Sequence, residues 1–249
     1  MKTILEKPKS IVQSCGWCGG CGHGVIQRLI AESNEELGLT DKTINVVDIA
    51  CCFWSLDGLD YDGIAGPHGR CAAVATAIKK VRPDKNIYVH AGDGASYGIG
   101  LSETMFAALR DIPITMIVVN NGIFGMTGGQ MSIATTLMGE KTTSSQNGRV
   151  QELNGEPQDF LNILSQMDIE FAARGALYDV KEIKRTKDLI KTGLTRQSEK
   201  KGFSIIEVLS PCPTNWGMSP VDAQTRIKEI YTKQYPLKVY TDRGGREHE

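Results

Sequence analysis

NIYVHAGDG (residues 86–94), followed one helical pattern later by IPITMIVVNN (residues 112–121), decides the fold. Each is a short apolar run rich in β-branched residues, as a buried strand requires, and each breaks into polar residues at its carboxyl end. Between them, Leu101 to Leu109 carries apolar residues at helical spacing. A strand–helix–strand crossover is right-handed and lays its two strands side by side. Asp93 and Asn120-Asn121 therefore fall at neighbouring carboxyl ends, where open α/β sheets hold their ligands.

Outward from this unit, TINVVDIA (residues 43–50) and FSIIEVL (residues 203–209) read as further strands. Helical spacing covers residues 24–37, 71–81, 157–167 and 183–195. The expected fold is α/β, a mostly parallel sheet with helices on both faces. It occupies residues 1–218, with residues 219–249 as a carboxyl-terminal arm on a partner or on its own domain. Residues 51–69 and 120–154 lack periodicity, and irregular stretches of that length are usually binding loops or lids.

Composition narrows the function. The 249 residues carry 28 Lys+Arg against 29 Asp+Glu, a net charge of -1, so there is no basic field for nucleic acid. No apolar run approaches the roughly 20 residues that cross a bilayer, and residues 1–14 lack a signal-peptide core. A cytoplasmic protein with neither nucleic-acid nor membrane partners is expected. The 7 cysteines are an odd number, and Cys15, Cys18 and Cys21 crowd one glycine-rich segment, which favours metal or redox chemistry over disulfides.

Gly92-Asp93-Gly94 alone reads as a tight turn with a capping aspartate. Its pairing with Asn120-Asn121 one unit later points to a cation–phosphate site. The Asp93 carboxylate and the Asn121 amide oxygen are hard donors suited to Mg²⁺, and the glycines let a phosphate approach the backbone.

This pair of motifs resembles the diphosphate-binding half of thiamine diphosphate enzymes. The segment Asn120-Asn121-Gly122-Ile123-Phe124-Gly125-Met126-Thr127-Gly128-Gly129-Gln130 narrows the resemblance to β subunits of 2-oxoacid:ferredoxin oxidoreductases. Trp17-Cys18-Gly19-Gly20-Cys21-Gly22-His23, Pro67-His68-Gly69-Arg70, the loop from Thr135-Thr136 to Gly148-Arg149, and Ser210-Pro211-Cys212-Pro213 also match that family in its order. Two positions depart from it: Gly19 stands where proline is usual, and Ala95 where many members have an acidic residue.

The resemblance implies a thiamine diphosphate-binding fold. Gly92, Asp93, Gly94, Asn121, Ile123, Phe124, Gly125, Met126 and Thr127 would contact the cofactor. Asp93, Asn121 and the Ile123 carbonyl would hold Mg²⁺, and His68 would reach the diphosphate or a substrate carboxylate. It further implies a [4Fe-4S] cluster on Cys18, Cys21, Cys51 and Cys212, with Cys52 able to replace Cys51. Spacing alone allows another set, Cys15, Cys18 and Cys21 with Cys212, like a ferredoxin run with a remote fourth ligand. Cys71 and His90 read as core residues, and His23 as a cap beside the cysteine motif.

The implied reaction is oxidative decarboxylation of a 2-oxo acid to acyl-coenzyme A and CO₂, with electrons leaving through the cluster to ferredoxin. Such enzymes also need a pyrimidine-binding domain, for which too few residues remain, so an α subunit carrying it and a ferredoxin-like or γ subunit are expected partners. The loop Met131 to Arg149 looks more like the branched-chain subfamily, favouring 2-oxoisovalerate, with 2-oxoglutarate next and Lys141 or Arg149 as candidate carboxylate contacts. Two other classes stay open: a thiamine-dependent lyase or synthase without electron transfer, and a non-catalytic metal or electron-transfer module.

Overall fold

The computed structural model describes residues 6–245. Among the described residues, nine strands appear in chain order: β1 Thr43–Val47, β2 Asp62–Ala65, β3 Asn86–Gly92, β4 Thr115–Asn120, β5 Ile123–Phe124, β6 Gln130–Met131, β7 Phe171–Ala176, β8 Ser204–Leu209 and β9 Val239–Asp242. Seven form one sheet in the order β2-β1-β3-β4-β8-β7-β9, and β5 and β6 form a separate small hairpin. All neighbours in the large sheet are parallel except β9, which runs antiparallel to β7.

Alternation along the strands feeds two cores. Val89, Ala91, Met116, Val118 and Ile205 point to one face, under helices Cys71–Val81 and Leu101–Leu109. Tyr88, Ile117, Val119, Ile206 and Val208 point to the other, under helices His23–Leu37 and Val180–Ser198. A sheet covered on both faces has strands that are apolar at nearly every position, which is why β3, β4 and β8 stood out in the sequence.

Several expectations change. The first strand stops at Val47, so Asp48 already lies beyond its carboxyl end. The helix expected over residues 157–167 is only Phe160–Leu164, started by Asp159, whose side chain accepts the Asn162 amide. β2, β7 and β9 had not been expected. In β7 the fully buried Arg174 lies 2.8 Å from the equally buried Glu207 of β8 and also pairs with Asp159. Glu207 is bonded in turn by Tyr97 at 2.9 Å and by Asn120 at 3.0 Å, so its charge is shared among donors. A paired, hydrogen-bonded charge of this kind is tolerated in a core, whereas removing either partner strands the other.

The tail folds back on its own domain. Helix Pro220–Arg226 precedes a wider turn from Ile227 to Tyr231, and β9 then covers the edge of β7. Tyr231 and Tyr235 are wholly buried beneath the glycine-rich loop. No helix among the described residues is long and apolar enough to cross a membrane, and His248 lies outside those residues.

Candidate active site

The carboxyl ends of β1, β3 and β4 open into a cleft of about 250 Å³. Its wall contains Gly92, Asp93, Gly94, Asn121, Ile123, Phe124, Gly125, Met126 and Thr127, together with His68 and Cys51. The separate motifs therefore meet in space, as parallel crossovers dictate.

Asp93 follows β3 directly and leads into a π-helical turn, Gly94–Ile99. Such wide turns are uncommon and frequent at functional sites. The carboxylate is buried and accepts a hydrogen bond from the Thr135 hydroxyl. Thr135 is held in turn 2.9 Å from Ser132. Burial, with Glu207 adding a like charge, pushes the Asp93 carboxyl up from 3.8 to about 6. A buried acid so reluctant to ionise is what a cation would relieve.

Asn121 follows β4 and accepts the Ile123 amide through Oδ1 at 3.2 Å. Its backbone carbonyl accepts the Tyr231 hydroxyl at 3.3 Å. Gly122 bends the chain between them with φ +68°, and a Cβ there would lie 2.5 Å from the Tyr231 oxygen. Both the left-handed backbone and the close tyrosine exclude a side chain. The tail thus supports the loop from behind, which the sequence pattern does not disclose.

His68 reaches the cleft from the segment before helix Cys71–Val81, its ring edge-on to Phe124. Nδ1 stands 2.6 Å from Oδ2 of Asp48, and Asp48 Oδ1 accepts the Gly69 amide at 2.7 Å. The carboxylate holds the proton on Nδ1 and leaves Nε2 as the other ring nitrogen. Asp48 was missed because it sat within an apolar run read as strand.

The thiols of Cys18, Cys21, Cys51 and Cys212 lie in one electrostatic neighbourhood. Burial pushes Cys21 up to about 12, and the thiols of Cys212, Cys51 and Cys18 add to it. Burial likewise pushes Cys51 up to about 11, with Cys212 and Cys18 contributing. A Cβ on Gly125 would stand 3.3 Å from the Cys51 sulfur and 3.7 Å from that of Cys212, so the bare glycine keeps the space between them open. The His23 amide donates to the Cys21 sulfur, and the Asn215 side chain donates to that of Cys212 at 3.4 Å.

Cys15 is held elsewhere, by Gln27 at 3.4 Å and the Trp54 carbonyl at 3.1 Å. Cys52 is buried against the Asp48 carbonyl, and Cys71 lies in the core beside Asp48. Among the described residues, no group of three or more His, Cys, Asp or Glu side chains is arranged to hold a single metal ion.

Two other readings are corrected. Arg149 is no exposed substrate contact: it is buried and donates to the carbonyls of Thr136 at 2.7 Å, Gly155 at 2.8 Å and Asn154 at 3.2 Å, clamping its own loop. Lys141, by contrast, is exposed. His90 is a buried core residue as expected, with Nδ1 3.2 Å from Ser55, although its buried Nε2 has no partner. His23, expected only as a cap, lines the cleft with its ring between those of Trp17 and His90.

Comparison with known proteins agrees with this geometry. Residues 49–208 match the thiamine pyrophosphate enzyme, C-terminal TPP binding domain. Ketoisovalerate oxidoreductase subunit VorA of Methanothermobacter thermautotrophicus is 37% identical over 98% of this chain and 54% of its own length. The chain thus spans about half of that relative. 2-Oxoglutarate synthase subunit KorB of Methanocaldococcus jannaschii is 35% identical, over 86% of this chain and 77% of its own. A solved 2-oxoglutarate:ferredoxin oxidoreductase from Magnetococcus marinus, with 2-oxoglutarate, coenzyme A and succinyl-CoA bound, superposes with a TM-score of 0.73. It is 26% identical and covers 86% of this chain and 70% of that one. On the cofactor-binding domain and these relatives, the chain belongs to the thiamine pyrophosphate-binding β subunits of the 2-oxoacid:ferredoxin oxidoreductases.

Proposed function

We propose that this chain binds thiamine diphosphate through Mg²⁺ and a [4Fe-4S] cluster beside it, and oxidises a 2-oxo acid to its acyl-coenzyme A with ferredoxin as electron acceptor. The observation that carries this reading is the meeting, at one cleft, of hard oxygen donors from Asp93 and Asn121 with the thiols across Gly125.

Both groups suit the residues present. Asp93, Asn121 and the Ile123 carbonyl are an all-oxygen set, and a divalent cation would offset a carboxylate that burial disfavours. A single zinc ion, with bonds of about 2.3 Å, would pull its four sulfurs tightly together. A cubane spreads four thiolates over four irons, and a redox cluster, unlike zinc, has a chemical use beside a thiamine-binding site. Thiamine diphosphate, when bound, supplies the carbon nucleophile for decarboxylation, and a cluster takes the electrons one at a time.

The chain's own residues then have distinct tasks. Asp93, Asn121 and Ile123 anchor the cation, while Gly92 and Gly94 leave room for the diphosphate. Phe124 and Met126 exclude water from the cleft. His68, oriented by Asp48, holds or moves a proton at Nε2. The pyrimidine-binding part comes from a separate α polypeptide, with a ferredoxin-like or γ subunit beyond the cluster.

For substrate, 2-oxoisovalerate is favoured over 2-oxoglutarate. No lysine or arginine lines the cleft among the described residues, whereas Ile49, Ile123, Phe124 and Met126 do. A second carboxylate would be left without a cation. One methylene changes selectivity by only about 1–3 kcal/mol, so pyruvate should be a slower substrate.

The test is an anaerobic preparation of the assembled complex. It should be brown, release thiamine diphosphate on denaturation, and reduce ferredoxin with a higher kcat/KM for 2-oxoisovalerate than for pyruvate or 2-oxoglutarate. A colourless, thiamine-containing complex would make it a lyase or synthase. Preference for 2-oxoglutarate would require a cation from a partner subunit.

A further inference from the structure

Asn215 lies in the short helical turn Pro213–Trp216, directly after Cys212. Its amide nitrogen Nδ2 stands 3.2 Å from the Gly125 carbonyl and 3.4 Å from the Cys212 sulfur. Its backbone N–H also donates to that sulfur. On the other side, the amide oxygen would be 3.1 Å from a Cβ on Gly129. The side chain is therefore wedged between the two glycines of the cofactor loop and the thiol.

The orientation of the amide is fixed by chemistry. A carbonyl only accepts, so the atom facing Gly125 is the nitrogen, and the same nitrogen faces the sulfur. One NH₂ group thus serves both the loop and the thiol.

We propose that Asn215 is a positioning residue that sets the reduction potential of the cluster and ties it to the cofactor loop through one shared amide. The inference rests on the reading that Cys212 ligates a [4Fe-4S] cluster. Reduction adds negative charge that spreads onto the thiolates, so an N–H donor on sulfur stabilises the reduced form more than the oxidised form and raises the potential. The backbone N–H of Asn215 remains in any variant, so removal of the side-chain donor should shift the potential and spare the cluster. Removal also takes one of two donors from the Gly125 carbonyl, which keeps only the Gly128 amide at 3.3 Å, loosening the loop that borders the cleft.

The test uses the assembled, anaerobically purified complex with wild-type chain, Asn215→Leu and Asn215→Asp. Leucine keeps the bulk without a donor, and aspartate adds negative charge beside the sulfur. With iron content retained, the cluster midpoint, followed by electron paramagnetic resonance during a redox titration, should be more negative in both variants and most negative in Asn215→Asp. The dissociation constant for thiamine diphosphate should rise roughly two- to tenfold, as for loss of one hydrogen bond. Cluster-bearing variants with the wild-type midpoint would overturn the proposal. So would loss of iron in both, which would make Asn215 a requirement for retaining the cluster. A wild-type complex without iron would overturn the underlying cluster reading, and that is seen before any variant is compared.

Discussion

Oδ2 of the buried Asp48 lies 2.6 Å from Nδ1 of His68, and the other oxygen of that carboxylate takes the Gly69 amide. Residues twenty positions apart in the chain thus share one hydrogen-bonded unit, and the ring that faces the cleft has its tautomer set from behind. If His68 moves a proton at Nε2, His68→Ala should lower kcat by about 10²–10⁴-fold. Asp48→Asn should lower it less. The double variant should be no worse than His68→Ala alone, because groups that act as a unit are not additive. Steady-state kinetics of the three variants decides this, and additive losses would separate the two residues.

With Asp93 as the proposed Mg²⁺ ligand, cofactor binding should depend on pH. Its carboxyl stands at about 6 in the folded chain against an ordinary 3.8. Between those values the native state holds the proton more tightly than the unfolded state, so this group lowers the stability of the cofactor-free chain as pH rises through that window. Asp93→Asn should therefore raise the melting temperature of the cofactor-free chain at neutral pH, with the gain shrinking towards pH 4. Mg²⁺ takes the ionised form, so wild-type affinity for thiamine diphosphate with Mg²⁺ should fall about tenfold per unit below pH 6. In Asp93→Ala, binding should be lost while iron content is unchanged. Thermal melts and calorimetric titration across pH, with iron analysis, test all three.

The cysteines give a clean comparison. Cys15 has its own partners in Gln27 and the Trp54 carbonyl, so Cys15→Ala should keep full cluster content. Cys51→Ala should lose or convert the cluster, and Cys52→Ala should keep it. Iron and sulfide per chain, with the spectrum of each variant, is the measurement. Loss in Cys15→Ala with retention in Cys51→Ala would restore the ferredoxin-like run.

Tyr231 offers a test of the tail. Tyr231→Phe removes the donor to the Asn121 carbonyl without changing the ring that fills the space. Cofactor binding should weaken by about 0.5–1.5 kcal/mol, with little change in melting temperature. Unchanged affinity would show that the tail supports the loop by bulk alone.

The parts of the fold legible in sequence were those with a single dominant pattern. β3, β4 and β8 are buried on both faces and read as unbroken apolar runs, and helices Cys71–Val81 and Leu101–Leu109 fell where their spacing put them. β7, FAARGA, has small residues and an arginine, and becomes a strand because Glu207 and Asp159 are there to pair with Arg174. No local pattern contains that information. Asp93 and Asn121 stood out because glycine, aspartate and asparagine meet at neighbouring strand ends, whereas Ile123 to Thr127 and His68 were named through the family resemblance; all of them line the cleft. Asp48, Thr135, Asn215 and Tyr231 did not stand out, since each acts through a partner distant in sequence and looks ordinary beside its neighbours.

The four thiols that share one electrostatic neighbourhood come from positions 18, 21, 51 and 212, nearly the span of the chain. The amino-terminal segment reaches Cys212 by docking on the stretch after β8, where the Gly22 amide meets the Pro211 carbonyl at 3.4 Å. A site gathered in this way does not exist on a growing polypeptide, because its last sulfur is made long after its first. Metallation, if the proposed cluster forms, would then be a post-synthetic event that reports completed folding. Oxidative loss of the cluster would unmoor both segments at once, so exposure to air would damage the thiamine cleft as well as the redox centre.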